Sequence, residues 1–298
     1  MAWPSGKAEA CKASIPSSNL GATSFVKYER RFVPLFILAT PIGNLKDITF
    51  RAVETLKEAD LILAEDTRKS QILFNAYGIK RPCLSFHQFN EKGREKRIFT
   101  LLDQEKKIVL ISDAGTPGIC DPGAELIQRC RARSIPIHVL PGPCAAIAAM
   151  SLYGNKENHF QFIGFLEKKG KKQLIDILSY PGLTIAYDSP HHLITTLQWM
   201  NDIAPNVPLF IARELTKRYE ETLEETPAAL IAHFQSKKIV GEYVLIFRGL
   251  LNLFEKDPKK LVQQLEGLFE INRKEALVAA AKLLNKSKQT IYRDLHSS

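Results

Sequence analysis

The sequence predicts an α/β protein of two successive α/β domains with a small helical appendage at the C-terminal end. Three observations carry this. Short apolar runs bounded by turn residues recur from about residue 35 to residue 247, and each has the length of a strand rather than of a buried helix. Segments of helical periodicity fall between them, the alternation that βα units produce. Past Gly249 the strand pattern stops and only helical pattern continues.

The first domain is placed at residues 34–154. Its runs LFILA (35–39), LILA (61–64), IVLI (108–111) and IHVL (137–140) lack extended polar alternation, as in a largely parallel sheet covered on both faces. Between them, residues 50–59 put Ala52, Val53, Leu56 and Ala59 on one helical face, and residues 125–130 continue a helix after Pro122 and Gly123. The turn-rich YGNKENH (153–159) marks the boundary to a second domain, residues 155–249. Strands are expected there at 160–166, 183–187, 208–212 and 242–247, with helices at 193–200 and 228–234. Residues 250–298 form the appendage, with short helices at 259–269, 274–284 and 287–295. The polar break at Asn285–Ser287 gives the last two a helix-turn-helix look, suited either to gripping structured RNA or to packing and dimerisation. Residues 1–33 have no such pattern. Ala, Ser, Gly, Pro and Lys dominate up to Ser24, so a flexible extension is expected, either sequence ahead of the true start or an RNA-binding arm.

Composition excludes several classes. A length of 298 residues gives each domain enough chain for its own core, and 45% hydrophobic with 24% charged residues rules out global disorder. No apolar stretch approaches the roughly 20 residues of a membrane span, and no apolar block of secretory type lies near the N-terminal end. A cytoplasmic protein is expected. The cysteines Cys11, Cys83, Cys120, Cys130 and Cys144 form no C-x-x-C pair and have no zinc-type histidine spacing, so reduced thiols and no metal are expected. The net charge of +9 is unevenly spread: residues 1–33, 34–249 and 250–298 each net +3, which concentrates cations in the two short ends. Either solubility or a grip on phosphate explains that distribution.

Ligands of open α/β sheets bind at the carboxyl ends of the strands. Three loops there, TPIGNLKD (40–47), SDAGTPGICDPG (112–123) and PGPCAA (141–146), are dense in Gly and Pro, which fixes the backbone and lets it approach a ligand. No G-x-x-x-x-G-K-[ST] is present and the first strand leads to Thr40-Pro41-Ile42-Gly43 rather than G-x-G-x-x-G, so phosphate-cradling loops are excluded. What remains is a backbone-lined cleft suited to a ligand with an adenine, an amino acid and little phosphate.

The segments ATPIGNLKDIT, AEDTR, SDAGTPGICDPG, LPGPCAA, YDSPH, ARELTKRYEE and GEYVLI, in that order, resemble the ribosomal RNA small-subunit methyltransferase I family of the tetrapyrrole-methylase-like superfamily over about Pro34 to Phe247. The resemblance implies two α/β domains of the tetrapyrrole methylase type, S-adenosylmethionine in the cleft between them, and 2′-O-methylation of a cytidine in small-subunit (16S) rRNA near the decoding centre. The implied partner is small-subunit rRNA or the assembled subunit, and a homodimer is expected. A corrin methyltransferase and a non-catalytic RNA-binding factor are the alternatives. Some positions depart from the family pattern: Phe89 stands where a second His is usual, Cys120 and Cys144 where Ser is common, and Asp188 and His192 where Glu and Arg are frequent.

The resemblance implies cofactor contacts at Pro41, Ala114, Gly115, Thr116, Ile119, Cys144 and Ala145. Asp113 either accepts from the cofactor or caps its turn, and Tyr187 and Ala212 are strand-end neighbours from the second domain. Gly115→Val is expected to obstruct the cofactor while sparing the fold. Methyl transfer to a ribose oxygen needs a proton acceptor and cations for RNA phosphate. Glu65, Asp66 and Glu214 are candidate bases, and Arg68, Arg213 and Lys217 candidate RNA contacts, with surface ion pairing the alternative for both groups. His191 is either a base or a helix-start residue.

Overall fold

A computed structural model describes residues 33–154, 156, 159–167 and 170–296. Except for Val33, the extension expected over residues 1–33 lies outside the described residues. The first half alternates strand and helix: β1 (Leu35–Leu38), α1 (Phe50–Glu58), β2 (Leu61–Ala64), α2 (Thr67–Tyr77), β3 (Cys83–Ser85), α3 (Glu91–Asp103), β4 (Ile108–Ile111), α4 (Ala124–Ala132), β5 (Ile137–Leu140) and α5 (Ala145–Tyr153). Its sheet has the order β3-β2-β4-β1-β5 with every pair parallel. Apolar side chains from the two faces form separate clusters, one around Leu38, Ile62 and Val109 and the other around Leu35, Leu63 and Leu110. Burial on both faces explains why the central strands β1, β2 and β4 show little alternation, whereas the edge strand β5 leaves His138 and Val139 exposed. Because β1 lies between β4 and β5, the three Gly- and Pro-rich loops leave adjacent strands and converge on one edge of the sheet.

The second half contains β6 (Phe160–Phe165), α6 (Gln173–Leu178), β7 (Leu183–Asp188), α7 (Leu193–Ile203), β8 (Leu209–Arg213), β9 (Glu221–Glu225), α8 (Pro227–Gln235) and β10 (Tyr243–Arg248). Its sheet, ordered β6-β7-β10-β8-β9, is mixed: β6 and β7 are parallel and the remaining pairs antiparallel. The sequence leaves β3 and β9 unidentified. The first is a three-residue strand, and ETLEE in β9 is an edge strand with little apolar surface.

A separate apolar cluster joins the halves. Ile42, Ala146 and Ala149 from the first pack with Leu183, Ile185, Phe210, Ala212 and Val244 from the second. The helix α5 thus lies against the second sheet, and its first turn opens towards the space between the sheets. The C-terminal helices α9 (Pro258–Phe269), α10 (Arg273–Leu283) and α11 (Lys288–His296) close the chain. Leu261, Val262, Leu265, Phe269, Ala276, Leu277, Ala280 and Ile291 are buried in the same cluster as Leu197, Met200 and Phe234, so the appendage is packed onto the second half. Among the described residues no helix is long and apolar enough to cross a membrane.

Candidate active site

The loops after β1, β4 and β5 face the ends of β7, β8 and β10 across a cleft of about 380 Å³. That volume falls in the roughly 300–1,000 Å³ range of small-molecule sites. The loops are locked together before any ligand is considered. The N–H of Thr40 donates to the Gly115 carbonyl (2.8 Å), Gly115 N–H donates back to Thr40 (3.0 Å), and the Thr40 hydroxyl donates to the Ser112 carbonyl (3.1 Å). Gly115 has φ +79°, the left-handed region, so the conformation itself favours glycine there. A Cβ at this position would lie 3.5 Å from Ile42 Cγ2, an ordinary contact, so backbone conformation governs the position more than lack of space.

Of the ten residues expected to hold a cofactor, Asp113, Ala114, Gly115, Thr116, Ile119, Cys144, Ala145, Tyr187 and Ala212 line this cleft. Pro41 lines an adjoining depression that shares Ile42, Lys69, Asp113 and Ala114 with it. Tyr187 has a definable job. Its hydroxyl accepts from the Ala146 N–H (3.3 Å), one of the free donors of the first turn of α5, and its ring meets Phe162 and Phe165 edge-on at 5.0 and 5.4 Å. Burial pushes its phenol well above the ordinary range, so it stays neutral.

The carboxylates divide into two groups. Asp113 accepts from the Asp66 N–H (3.0 Å) and from Lys69 Nζ (2.7 Å), tying the loop after β4 to the start of α2. Glu65 and Asp121 line the cleft, and burial followed by neighbouring acidic charge raises both. Asp121 is pushed up to about 6, chiefly by burial and then by Glu65, against a lowering hydrogen bond from Ser112. Asp66 caps α2 and holds Arg68 through both oxygens (3.1 and 2.8 Å). Those bonds lower its carboxyl to about 2, which makes it a weak base, and it does not line the cleft. Glu214 is also outside the lining. It accepts from Lys217 Nζ (2.8 Å) and from the Glu242 N–H (3.0 Å).

The cations expected on RNA fare unequally. Arg213 is 14% exposed, donating to the Val240 carbonyl (3.1 Å) and pairing with Glu221 (3.4 Å), so it braces the second sheet. Lys217 is held by Glu214 and Glu242, both at 2.8 Å. Arg68 is 89% exposed even with its Asp66 partner. His191 is exposed in the turn before α7, outside the cleft. The buried histidine is its neighbour His192, 3.1 Å from both Asp188 Oδ1 and Thr196 Oγ1.

Sequence reasoning missed Lys69, Asp121, Asp188 and Glu242 as cleft residues. Asp121 lies inside the quoted SDAGTPGICDPG loop, but Asp-Pro-Gly is ordinary turn chemistry and conceals it. Asp188 is 2% exposed, and its Oδ2 has no hydrogen-bond partner among the described residues. An acidic, backbone-lined cleft with an unsatisfied buried acceptor fits a ligand that carries positive charge and N–H donors.

Two layers of α/β structure with this cleft between them define a methylase of the tetrapyrrole class. Residues 34–231 match the family described as Tetrapyrrole (Corrin/Porphyrin) Methylases. In fold the chain is similar to a cobalt precorrin-4 methyltransferase (TM-score 0.59, 15% identity, 72% of this chain and 95% of that one). It is also similar to uroporphyrin-III-C-methyltransferase from Thermus thermophilus (TM-score 0.53, 16% identity, 74% and 96%). Closer in sequence are proteins named ribosomal RNA small subunit methyltransferase I. The one from Thermotoga maritima is 42% identical over 217 residues, 72% of this chain and 98% of the relative. That from Haemophilus influenzae is 39% identical over 267 residues, 87% and 94%. The chain belongs to the ribosomal RNA small subunit methyltransferase I family.

Proposed function

We propose that this S-adenosylmethionine-dependent rRNA methyltransferase methylates the 2′-hydroxyl of a cytidine ribose in small-subunit (16S) rRNA near the decoding centre. The observation that supports it most is the match at about 40% identity, across both halves of the cleft, to proteins named for small-subunit rRNA. Its corrin- and porphyrin-type neighbours, at 15–16% identity, share the fold alone.

S-adenosylmethionine supplies an electrophilic methyl group on a sulfonium. The loop from Asp113 to Ile119 and the start of α5 at Cys144 and Ala145 would hold it, with Tyr187 and Ala212 closing the far side. Acidic walls at Glu65, Asp121 and Asp188 favour a cationic ligand. When bound it would give that methyl to the ribose oxygen, and the hydroxyl proton would pass to a carboxylate of the cleft. Asp121, with Glu65 beside it, is the acceptor: its raised proton affinity, near neutrality, suits a general base better than an ordinary aspartate. Lys69 holds Asp113 and so fixes the loop against the helix. Of Arg68, Arg213 and Lys217, Arg68 is the most exposed and the best placed to meet a phosphate, though it is paired with Asp66.

The enzyme acts in the cytoplasm, where ribosomal subunits are made, and as a homodimer. The helix α5, AAIAAMSLY, is apolar but for Ser151 and the Tyr153 hydroxyl yet leaves Ile147 and Leu152 about half exposed, and Val139 on the edge strand β5 is exposed too. A second copy of the chain would cover that surface. The test of function is transfer of labelled methyl to small subunits from cells lacking the enzyme, with nuclease digestion and mass mapping. One 2′-O-methylcytidine in 16S rRNA is expected, and transfer to a base, to another RNA or only to a corrin precursor overturns the assignment.

A further inference from the structure

Glu65 faces two cavities. One is the cleft. The other is an open cavity of about 500 Å³ whose walls include Asp66 with its ion-pair partner Arg68, and Ser85, His87, Gln88 and Phe89. Phe89 is 87% exposed, although the hydrophobic effect disfavours leaving a phenyl ring in water. The segment displaying it is tied down. The Asn90 side chain accepts from the His87 N–H (2.9 Å) and donates to the Ser85 carbonyl (3.3 Å) and to His87 Nε2 (2.9 Å). The Leu126 N–H donates to Glu91 (2.9 Å), anchoring the next residue to the start of α4. The His87 ring lies edge-on to Phe89 at 6.0 Å. Because Asn90 donates to Nε2, the neutral imidazole carries its proton on Nδ1, a buried donor with no partner among the described residues.

A flat ring held out on a braced turn, with a guanidinium nearby and a carboxylate shared with the reaction cleft, is the equipment that receives an unpaired base. Single-stranded RNA is recognised by stacking on aromatic faces and by cations along its backbone. We propose that this second cavity is a nucleobase subsite, in which an unpaired base of the RNA substrate stacks on Phe89 while its strand passes Glu65 and a neighbouring phosphate meets Arg68. The inference rests on the reading of the substrate as RNA. It gives the exposed Phe89 a binding task that needs only a ring.

The experiment compares wild type, Phe89→Ala and Phe89→Trp on small subunits that lack the modification. Loss of one base–aromatic stack is expected to lower kcat/KM of Phe89→Ala about 5- to 150-fold, with cofactor affinity by calorimetry unchanged. Phe89→Trp should retain activity, and the emission it adds to that of Trp3 and Trp199 should be quenched by unmodified small subunits. Wild-type kcat/KM in Phe89→Ala, or unquenched emission from an active Phe89→Trp enzyme, overturns the subsite and leaves the function standing. A wild-type enzyme that transfers no methyl to small subunits overturns the function, and the subsite with it.

Discussion

At the scale of single residues, Asp121, the proposed proton acceptor, would tie catalysis to stability with opposite signs. Its carboxyl is raised from 3.8 to about 6, mainly by burial. A raised carboxyl favours the folded state fully below pH 3.8, and the advantage is lost as pH rises through 6, where ionisation puts a charge into the cleft beside Glu65. Asp121→Asn removes that charge. At pH 8 it is expected to gain about 1–2 kcal/mol in stability after allowance for solvent screening, while methyl transfer falls at least 100-fold. Thermal unfolding and a single-turnover assay check the two halves of this prediction. The wild-type rate should rise with pH along a limb of apparent pKa near 6, and a limb unmoved in Asp121→Asn would assign the proton elsewhere. Asp66 shows what sequence can and cannot say at this scale. The AEDTR motif locates two carboxylates at the end of a strand, but only the fold shows that Glu65 faces the cleft while Asp66 spends both oxygens on Arg68.

The glycine-rich loops, at the scale of elements, were legible as a group, but the reasons for their glycines were not. Gly43 and Gly115 serve unlike ends. A Cβ on Gly43 would lie 2.5 Å from Lys217 Cγ, 2.6 Å from Thr216 Oγ1 and 2.8 Å from the Leu215 carbonyl, so the loop after β1 meets the connection after β8 with no room to spare. Gly43→Ala must push the halves apart and is expected to cost about 1–3 kcal/mol, as overpacking does, and to weaken cofactor binding. Gly115→Ala meets no clash but must adopt a left-handed conformation, at about 1–2 kcal/mol. The expectation that Gly115→Val would spare the fold therefore needs amending, since that conformation is disfavoured most for a β-branched residue. Calorimetry with S-adenosylhomocysteine alongside thermal unfolding checks both alanine variants, and wild-type values in both would show that the loops tolerate side chains. Strand direction was less legible than strand position. The runs at 183–187, 208–212 and 242–247 look alike in sequence, yet β10 runs antiparallel to both neighbours, because pairing is set by connections and not by apolar content.

At the scale of the whole molecule, two surfaces that look peripheral in sequence bear on assembly and stability. Ile147 on α5 is 52% exposed, so on the proposed homodimer Ile147→Asp is expected to leave thermal stability nearly unchanged while sedimentation shifts from dimer to monomer. A dimer that survives the charge places the interface elsewhere. The appendage was legible as three helices after Gly249, but its patterning did not reveal what it covers, since an amphipathic helix serves equally a partner, an RNA or its own core. The packing shows that one face of these helices serves the core. Leu265 of α9 is fully buried among side chains of the second half, and Lys171, 11% exposed, pairs with Asp202 at 2.7 Å and with Glu270, just after α9, at 2.6 Å. Lys172 joins Glu275 of α10, and Lys282 of α10 joins Asp176 of α6. The exposed pairs contribute little, whereas the buried leucine contributes through area and fit. Leu265→Ala is therefore expected to cost about 2–5 kcal/mol. It should lower the stability of the whole second half in a single transition. Thermal unfolding followed at once by far-ultraviolet circular dichroism and by the emission of Trp199 tests this, because the tryptophan sits on α7 of the second half, where α9 packs against the same apolar cluster. Coincident shifts in both signals are the expected result. An early helical loss with the Trp199 transition unmoved would mean that the three helices melt alone as a separable module.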